Sequence, residues 1–405
     1  MKKNTILIDI LILVIASIIL LYGALATLSG DTLMYRCYAV VFWQGSSGLE
    51  KLPAHQCDFL NIKGVVHPFH TLPMEYPFLS LIPFTLGLTG TNYEVTYAYW
   101  MTFIVILFYI VLKRYASSKV AIIAVVFLAV GNFGTLGARL DIVPSFLTLG
   151  AILLADKKKW NWAFAFLALG VCVKLYPIIL LPLFLIAQQL SLDHTKSFAP
   201  KYTPALLFTA TIAVITALSL LISVEGTISP FTYLKNRPFE VESLGSSLLW
   251  LSQPFSSPLN VISSYGSANL QSPQSPMMNT LTTILMILGL AGTLWLYYHK
   301  KLNFSLACLA TLLITILFGK VFSPQYLMWL SPLVAYACRD KSKWLILWLA
   351  ICGLTTWIFP HFFRQEINEI FNAARNSKFY SVVLTRNALM TIFTIWLLIS
   401  SYRKK

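Results

Sequence analysis

The sequence predicts an all-α fold, a polytopic bundle of transmembrane helices. Its 405 residues are 57% hydrophobic and only 11% charged. A soluble chain of that composition would expose apolar surface and aggregate. Apolar runs of roughly 15–22 residues recur along the chain, the length scale of helices that cross a bilayer. A membrane β-barrel would need alternating segments of about 10 residues, and the pattern is not there. The net charge of +15 would suggest nucleic acid in a soluble protein. Here the basic residues fall in short loops between apolar runs, which membrane topology explains. There is no basic–aromatic tract, zinc spacing or Walker loop, so nucleic acid is not an expected partner.

Residues 1–27 combine Lys2 and Lys3 with an apolar run ending in the small residues Gly23, Ala24 and Ala26. That resembles a secretion signal. The run is long enough to span and many more follow, so it reads as the first span, at about 5–27. Asp9 in it reads as an acid near the cytoplasmic interface. Residues 28–76 form a long outer loop. Residues 77–90 are apolar but short and contain Pro83, and read as a re-entrant or interfacial pair of helical pieces. If they crossed once, Lys113, Arg114 and Lys119 would fall outside and every later basic loop would invert. The first extracytoplasmic loop is therefore 28–94, with membrane-parallel helices.

Eleven further spans are expected at about 95–112, 120–136, 140–155, 160–173, 176–190, 203–222, 277–298, 303–319, 325–338, 344–360 and 382–401. With the first, that makes twelve. This arrangement puts 18 of the 30 basic residues in inner loops or at the inner termini: Lys2, Lys3; Lys113, Arg114, Lys119; Lys157, Lys158, Lys159; Lys196, Lys201; Lys300, Lys301; Arg339, Lys341, Lys343; and Arg403, Lys404, Lys405. Both termini are then inside. Residues 223–276 form a second large outer loop, whose part 251–276, rich in Ser, Pro, Gln and Asn, reads as flexible. No internal repeat is evident, and 1–405 reads as one domain. Several spans are shorter than the roughly 20 residues a bilayer needs. Short helices are tolerated where their ends line a water-filled cavity.

The unusual polar residues sit at the outer ends of these spans. Asp31 and Tyr35 lie one helical turn apart in a stretch that reads as an amphipathic helix over 32–43, with Leu33, Tyr35, Ala39 and Phe42 facing the membrane. Glu75-Tyr76-Pro77 marks the point of re-entry. Arg139 and Asp141 stand at one boundary, and Lys174-Leu175-Tyr176-Pro177 at another. Arg237, Glu240 and Glu242 lie in the second outer loop, and Lys320 to Tyr326, including Gln325, closes the set. Singly, each has an ordinary explanation: Arg139 pairing with Asp141, Lys174 snorkelling to headgroups, tyrosines forming an interfacial belt. Together they are harder to dismiss, since a charge near the bilayer core costs roughly 2.5–3.5 kcal/mol on insertion scales. Bases that bind phosphate and acids that take protons suit a phosphate-bearing, lipid-embedded substrate.

In order, Asp31 and Tyr35, EYP, RLD, VKLYP, RPFEVES and FSPQYLMW resemble the GT-C superfamily of integral-membrane glycosyltransferases. Within it the chain is most similar to the bacterial polyprenyl-phosphate-mannose-dependent α-1,2-mannosyltransferases. The resemblance implies an enzyme of cell-envelope biosynthesis in the plasma membrane. It implies transfer of a hexose, mannose in the nearest family, from a polyprenyl-phosphate donor to a glycan or glycolipid acceptor on the extracytoplasmic face, with inversion. Asp31 matches the catalytic acid of the first outer loop and would act as general base. Lys174, Arg237 and Lys320, then Arg139, are the candidates to hold the donor phosphate. Glu75, Asp141, Glu240 and Glu242 would bind sugar hydroxyls or hold the bases in place. Tyr35, Tyr176, Gln325 and Tyr326 complete the substrate-binding set. Gly30-Asp31-Thr32 lacks the paired acids of members that use a metal, so no cofactor is expected and a divalent metal finds no support.

Cys37 and Cys57 share the outer loop, as a disulfide or as two free thiols. His55, His67 and His70 read as ordinary loop residues, because Pro68 breaks the helical spacing a metal pair would need. Two other readings remain: a multi-pass transporter or flippase of lipid-linked sugars, and an oligosaccharide ligase or polymerase.

Overall fold

The computed structural model describes residues 2–27, 30–62, 64–192, 202–253, 259–374 and 376–402. Lys196, Lys201, Arg403, Lys404 and Lys405, expected in inner loops or at the C-terminus, lie outside the described residues. The all-α class is observed, and each of the twelve apolar stretches is helical. Six helices are long and apolar enough to cross a membrane: Leu7–Ala26, Tyr93–Tyr115, Thr203–Ile222, Ser275–Tyr298, Ser342–Gln365 and Lys378–Ser400. The others are shorter, among them Ile142–Asp156, Trp160–Val173 and Phe304–Phe318.

The chain folds into two compact units. One comprises Met1–Val111, Gly134–Leu181 and Gln188–Asn236; the other comprises Leu112–Phe133, Pro182–Ala187 and Arg237–Lys405. The helices are α1 (Lys2–Thr27), α2 (Gly30–Gln44), α3 (Ser46–Leu49), α4 (Leu81–Leu86), α5 (Tyr93–Tyr115), α6 (Ser118–Gly131), α7 (Ile142–Asp156), α8 (Trp160–Val173), α9 (Leu181–Leu190), α10 (Thr203–Ile222), α11 (Val224–Asn236), α12 (Leu244–Leu251), α13 (Ser275–Tyr298), α14 (Phe304–Phe318), α15 (Leu327–Ala337), α16 (Ser342–Thr356), α17 (Phe363–Gln365), α18 (Ile367–Phe371) and α19 (Lys378–Tyr402).

In the first unit, residues 78–89 form short helical pieces around α4, as their length and Pro83 predict. Helix α2 departs from expectation. Tyr35 and Ala39 are fully buried and Phe42 nearly so, while Leu33 is exposed. The face read as lying on a membrane packs on protein instead: Tyr35 stacks on Phe84 of α4 with centroids 4.1 Å apart and meets Tyr76 edge-on. Aromatic pairs of this kind add about 0.5–1.5 kcal/mol beyond area burial, so a protein partner outcompetes lipid for this face. Cys37 and Cys57 form a disulfide that closes a loop 20 residues long in sequence and ties α2 to the chain that follows. A loop of that size is worth roughly 3 kcal/mol in the chain-entropy model. Asp9 is buried in α1 with the Tyr109 hydroxyl of α5 as hydrogen-bond partner.

In the second unit, α14 and α15 are apolar all round and buried almost throughout. Segment 251–276 departs from the flexible loop expected there. Residues 254–258 lie outside the described residues, but Asn260–Ser264 (β2) and Ser267–Gln271 (β3) pair antiparallel, and β3 also pairs with Phe239–Glu240 (β1). The hairpin turns through Tyr265 and Gly266, both at positive φ (51° and 64°). That is the two-residue turn whose twist matches the flanking strands. Ala268 and Leu270 face a core with Phe239, Val241 and Trp250, so side-chain burial orders a segment whose composition is polar.

Candidate active site

The first unit holds two buried ion pairs joined by one short stretch of chain. Leu136–Ala138 is a single helical turn against α1, where a Cβ on Gly137 would collide with that of Ala24. Arg139 follows in extended backbone (φ −125°, ψ 140°), and Asp141 stands directly before α7. The chain then turns through Leu140 into Asp141, which is already in the helical region (φ −56°, ψ −25°). Each finds a partner on another element. Arg139 pairs with Asp31 in the first turn of α2, the two side chains 19% and 12% exposed. Thr32 Oγ1 donates to the Ala138 carbonyl at 3.2 Å, fixing α2 beside this turn. Asp141 accepts from Lys174 Nζ at 2.6 Å, where Lys174 closes the end of α8 in extended backbone.

Tyrosines surround the second pair. Lys174 Nζ lies 5.6 Å from the Tyr76 ring centre, and the Tyr35 and Tyr76 hydroxyls are 3.3 Å apart. Burial raises the Tyr35 hydroxyl well above the ordinary tyrosine range, helped by Tyr76, Tyr97 and the charge of Asp141. Burial raises Tyr76 likewise, with Glu75 and Asp141 adding to it. Both therefore remain neutral hydroxyls able to donate. The Tyr176 hydroxyl meets Thr148 Oγ1 of α7 at 3.1 Å. Glu75 is half-buried beside them.

Next to Lys174 and Tyr76 opens an apolar cavity of about 150 Å³, lined by Pro77, Phe78, Cys172, Leu175, Ile212 and Phe231 among others. Its apolar walls, which include Pro77 and Leu175 next in the chain to Tyr76 and Lys174, suit the apolar part of an amphiphile.

The second unit gathers the remaining candidates. Arg237 donates from Nη2 to Ser267 Oγ at 2.9 Å and lies 3.7 Å from Glu240 Oε1. Ser323 donates to the same carboxylate, and the Glu240 amide donates to the Lys320 carbonyl at 2.9 Å. Arg237, Glu240, Lys320 and Ser323 thus share one neighbourhood. Burial lowers the affinity of Lys320 for its proton. Gln325 is buried, and Tyr326 stacks on Trp329 with centroids 4.0 Å apart. Glu242 turns the other way, to Arg386 of α19. Arg386 Nη1 meets Glu242 Oε2 at 2.8 Å, Nη2 meets the Glu242 carbonyl at 2.6 Å, and the guanidinium lies 3.9 Å from the Phe322 ring centre.

The structure thus brings Asp31, Arg139, Asp141, Lys174 and the tyrosines together in one unit, and Arg237, Glu240 and Lys320 together in the other. Glu242 braces a buried arginine. Sequence reasoning passed over Arg386 and Asn387, which donates to the Glu242 carbonyl at 3.1 Å. The signal was present: an arginine within an apolar run long enough to span is expensive unless paired. Among the described residues no group of three or more His, Cys, Asp or Glu is arranged to hold a metal ion. His55 pairs with Asp58 at 2.8 Å on the surface, and the His67 and His70 rings lie 6.2 Å apart.

A comparison with curated proteins finds no match. The family described as "Glycosyltransferase family 87" matches residues 75–324, which include Arg139, Asp141, Lys174, Arg237, Glu240, Glu242 and Lys320. The match covers more than half of a chain whose helices are apolar enough to cross a membrane, and the protein belongs to glycosyltransferase family 87.

Proposed function

We propose that the protein transfers a hexose, mannose by resemblance, from a polyprenyl-phosphate sugar to a hydroxyl of an extracytoplasmic glycan or glycolipid. The observation that carries this reading is the pair of linked ion pairs, Asp31–Arg139 and Asp141–Lys174, beside an apolar cavity. The acceptor hydroxyl gives its proton to Asp31 as its oxygen attacks the anomeric carbon. The carbon–oxygen bond to phosphate breaks, and the electron pair leaves on polyprenyl phosphate. That group gains negative charge as the bond breaks, and Lys174 and Arg139 supply preorganised cations where the charge develops. A lysine has three N–H donors and an arginine five, so each can hold its carboxylate and a phosphate oxygen together. A phosphate that draws on Arg139 also loosens its hold on Asp31, so donor binding would ready the base. Within the second unit, Glu240 would hold Arg237 beside Lys320. The cavity's apolar walls would take the first isoprene units of the carrier. Asp141 and the two protonated tyrosines would orient the lysine and the sugar. The account needs no metal.

The reading is tested with the purified full chain, a panel of short-chain polyprenyl-phosphate hexoses and a glycan acceptor. One donor is expected to be consumed with release of polyprenyl phosphate, and nucleotide sugars are expected to be inert. Transfer from a nucleotide sugar would overturn the donor assignment. In vesicles, movement of an intact lipid-linked sugar without transfer would point to a flippase.

A further inference from the structure

Helices α7 and α8 form a hairpin with a charged group at each end. Asp141 and Lys174 occupy one end. The other holds Lys157, Lys158 and Lys159, about 22 Å away along the 15 residues of α7. At that end lies a cavity of about 580 Å³, lined by Lys158, Lys159, Trp160, Asn161, Trp162 and Gln188 among others, with no acidic side chain in its wall among the described residues.

The lysines are held in a fixed turn. Lys158 is left-handed (φ 57°), its amide donates to the Ala155 carbonyl at 2.8 Å, and the Lys159 amide donates to the Leu154 carbonyl at 2.9 Å. This is the closing pattern of a helix C-terminus. Trp160 Nε1 donates to Ser191 Oγ at 2.8 Å and fixes one wall. Trp162 is 64% exposed. The far wall includes Thr203 and Pro204 at the start of α10, and the next turn of that helix exposes Leu206 and Leu207. The cavity is thus cationic, edged by an indole and continuous with an apolar helix face.

We infer that this cavity binds the phosphate headgroup of an anionic membrane lipid. Lysine ammoniums bind phosphate as point charges, and indoles favour the headgroup level of a bilayer. The exposed leucines of α10 give an acyl chain a surface to lie on, which a soluble phosphate would not use. The sequence places residues 157–159 on the inner face, where anionic lipids attract basic segments at about 1 kcal/mol per lysine. The site is at the opposite end of the hairpin from the acid–base pairs, so its lipid is a resident of the membrane and not the sugar donor.

The test titrates a short-chain phosphatidylglycerol into the detergent-solubilised full chain and counts bound lipid by native mass spectrometry. One lipid is expected to be lost from the Lys158→Gln/Lys159→Gln variant, with affinity reduced by about fivefold for each lysine removed. Lys158→Arg/Lys159→Arg should restore it, and phosphatidylcholine should bind more weakly than phosphatidylglycerol. Trp162→Ala, an exposed site that leaves the fold intact, should also weaken binding. Equal phosphatidylglycerol binding by wild type and the double glutamine variant overturns the site. Full displacement by inorganic phosphate overturns the lipid as its ligand.

Discussion

Asp31→Asn is expected to lower the transfer rate by about 10²–10⁴ while leaving donor binding near normal, the usual cost of losing a general base. Asparagine matches aspartate in shape and is as good in the first turn or cap of a helix. Its amide oxygen can still accept from Arg139, so the local structure of α2, tied down by Thr32 and the Cys37–Cys57 disulfide, should persist. What is lost is the capacity to take a proton. The loss should therefore fall on kcat and on kcat/KM together, the pattern of an interaction made only in the transition state. Steady-state kinetics with a donor-binding measurement on the same preparation decides it. A folded Asp31→Asn protein that binds donor and turns over within a few-fold of wild type would remove Asp31 as the base and leave Glu75 as the next carboxylate.

Arg386→Met is expected to destabilise the protein by about 3–5 kcal/mol, the cost of leaving a buried charge without its partner. Arg386 is fully buried and Glu242 is 1% exposed. The guanidinium satisfies both the carboxylate and the carbonyl of Glu242 and covers the Phe322 ring. Arg386→Lys should recover little, because an ammonium cannot reproduce the planar fork or its stacking on the ring. The double variant Arg386→Met/Glu242→Leu should recover much of the loss, since it removes both charges together. Thermal unfolding in detergent reads all three. An Arg386→Met protein as stable as wild type would show that the pair does not hold α19 to the chain after β1.

The helices were legible because composition alone forces apolar runs into helix within a membrane, and their ends followed from Lys, Arg, Pro and Asn. The charged residues of the site were legible for the same reason: Arg139, Asp141, Lys174 and Lys320 stand out against apolar flanks. Their partners were not. Adjacency in sequence suggested Arg139 with Asp141, whereas the turn that follows Arg139 leaves Arg139 paired with Asp31 of α2 and Asp141 with Lys174 at the end of α8. The β2–β3 hairpin was hidden because its turn rests on Tyr265 at positive φ, a residue that gives no turn signal, with only Gly266 to mark it. The face of α2 was misread because an aromatic stripe looks alike whether it meets lipid or, as here, Phe84 and Tyr76.

The central claim is a single direct displacement at the anomeric carbon, with one carboxylate taking the proton. The anomeric configuration of the product, read by NMR from a reaction of the purified chain with its donor and acceptor, tests this most directly. The account predicts a product of configuration opposite to the donor's, formed with one polyprenyl phosphate released per sugar transferred. A product of retained configuration would require two displacements or a front-side route, and would contradict it.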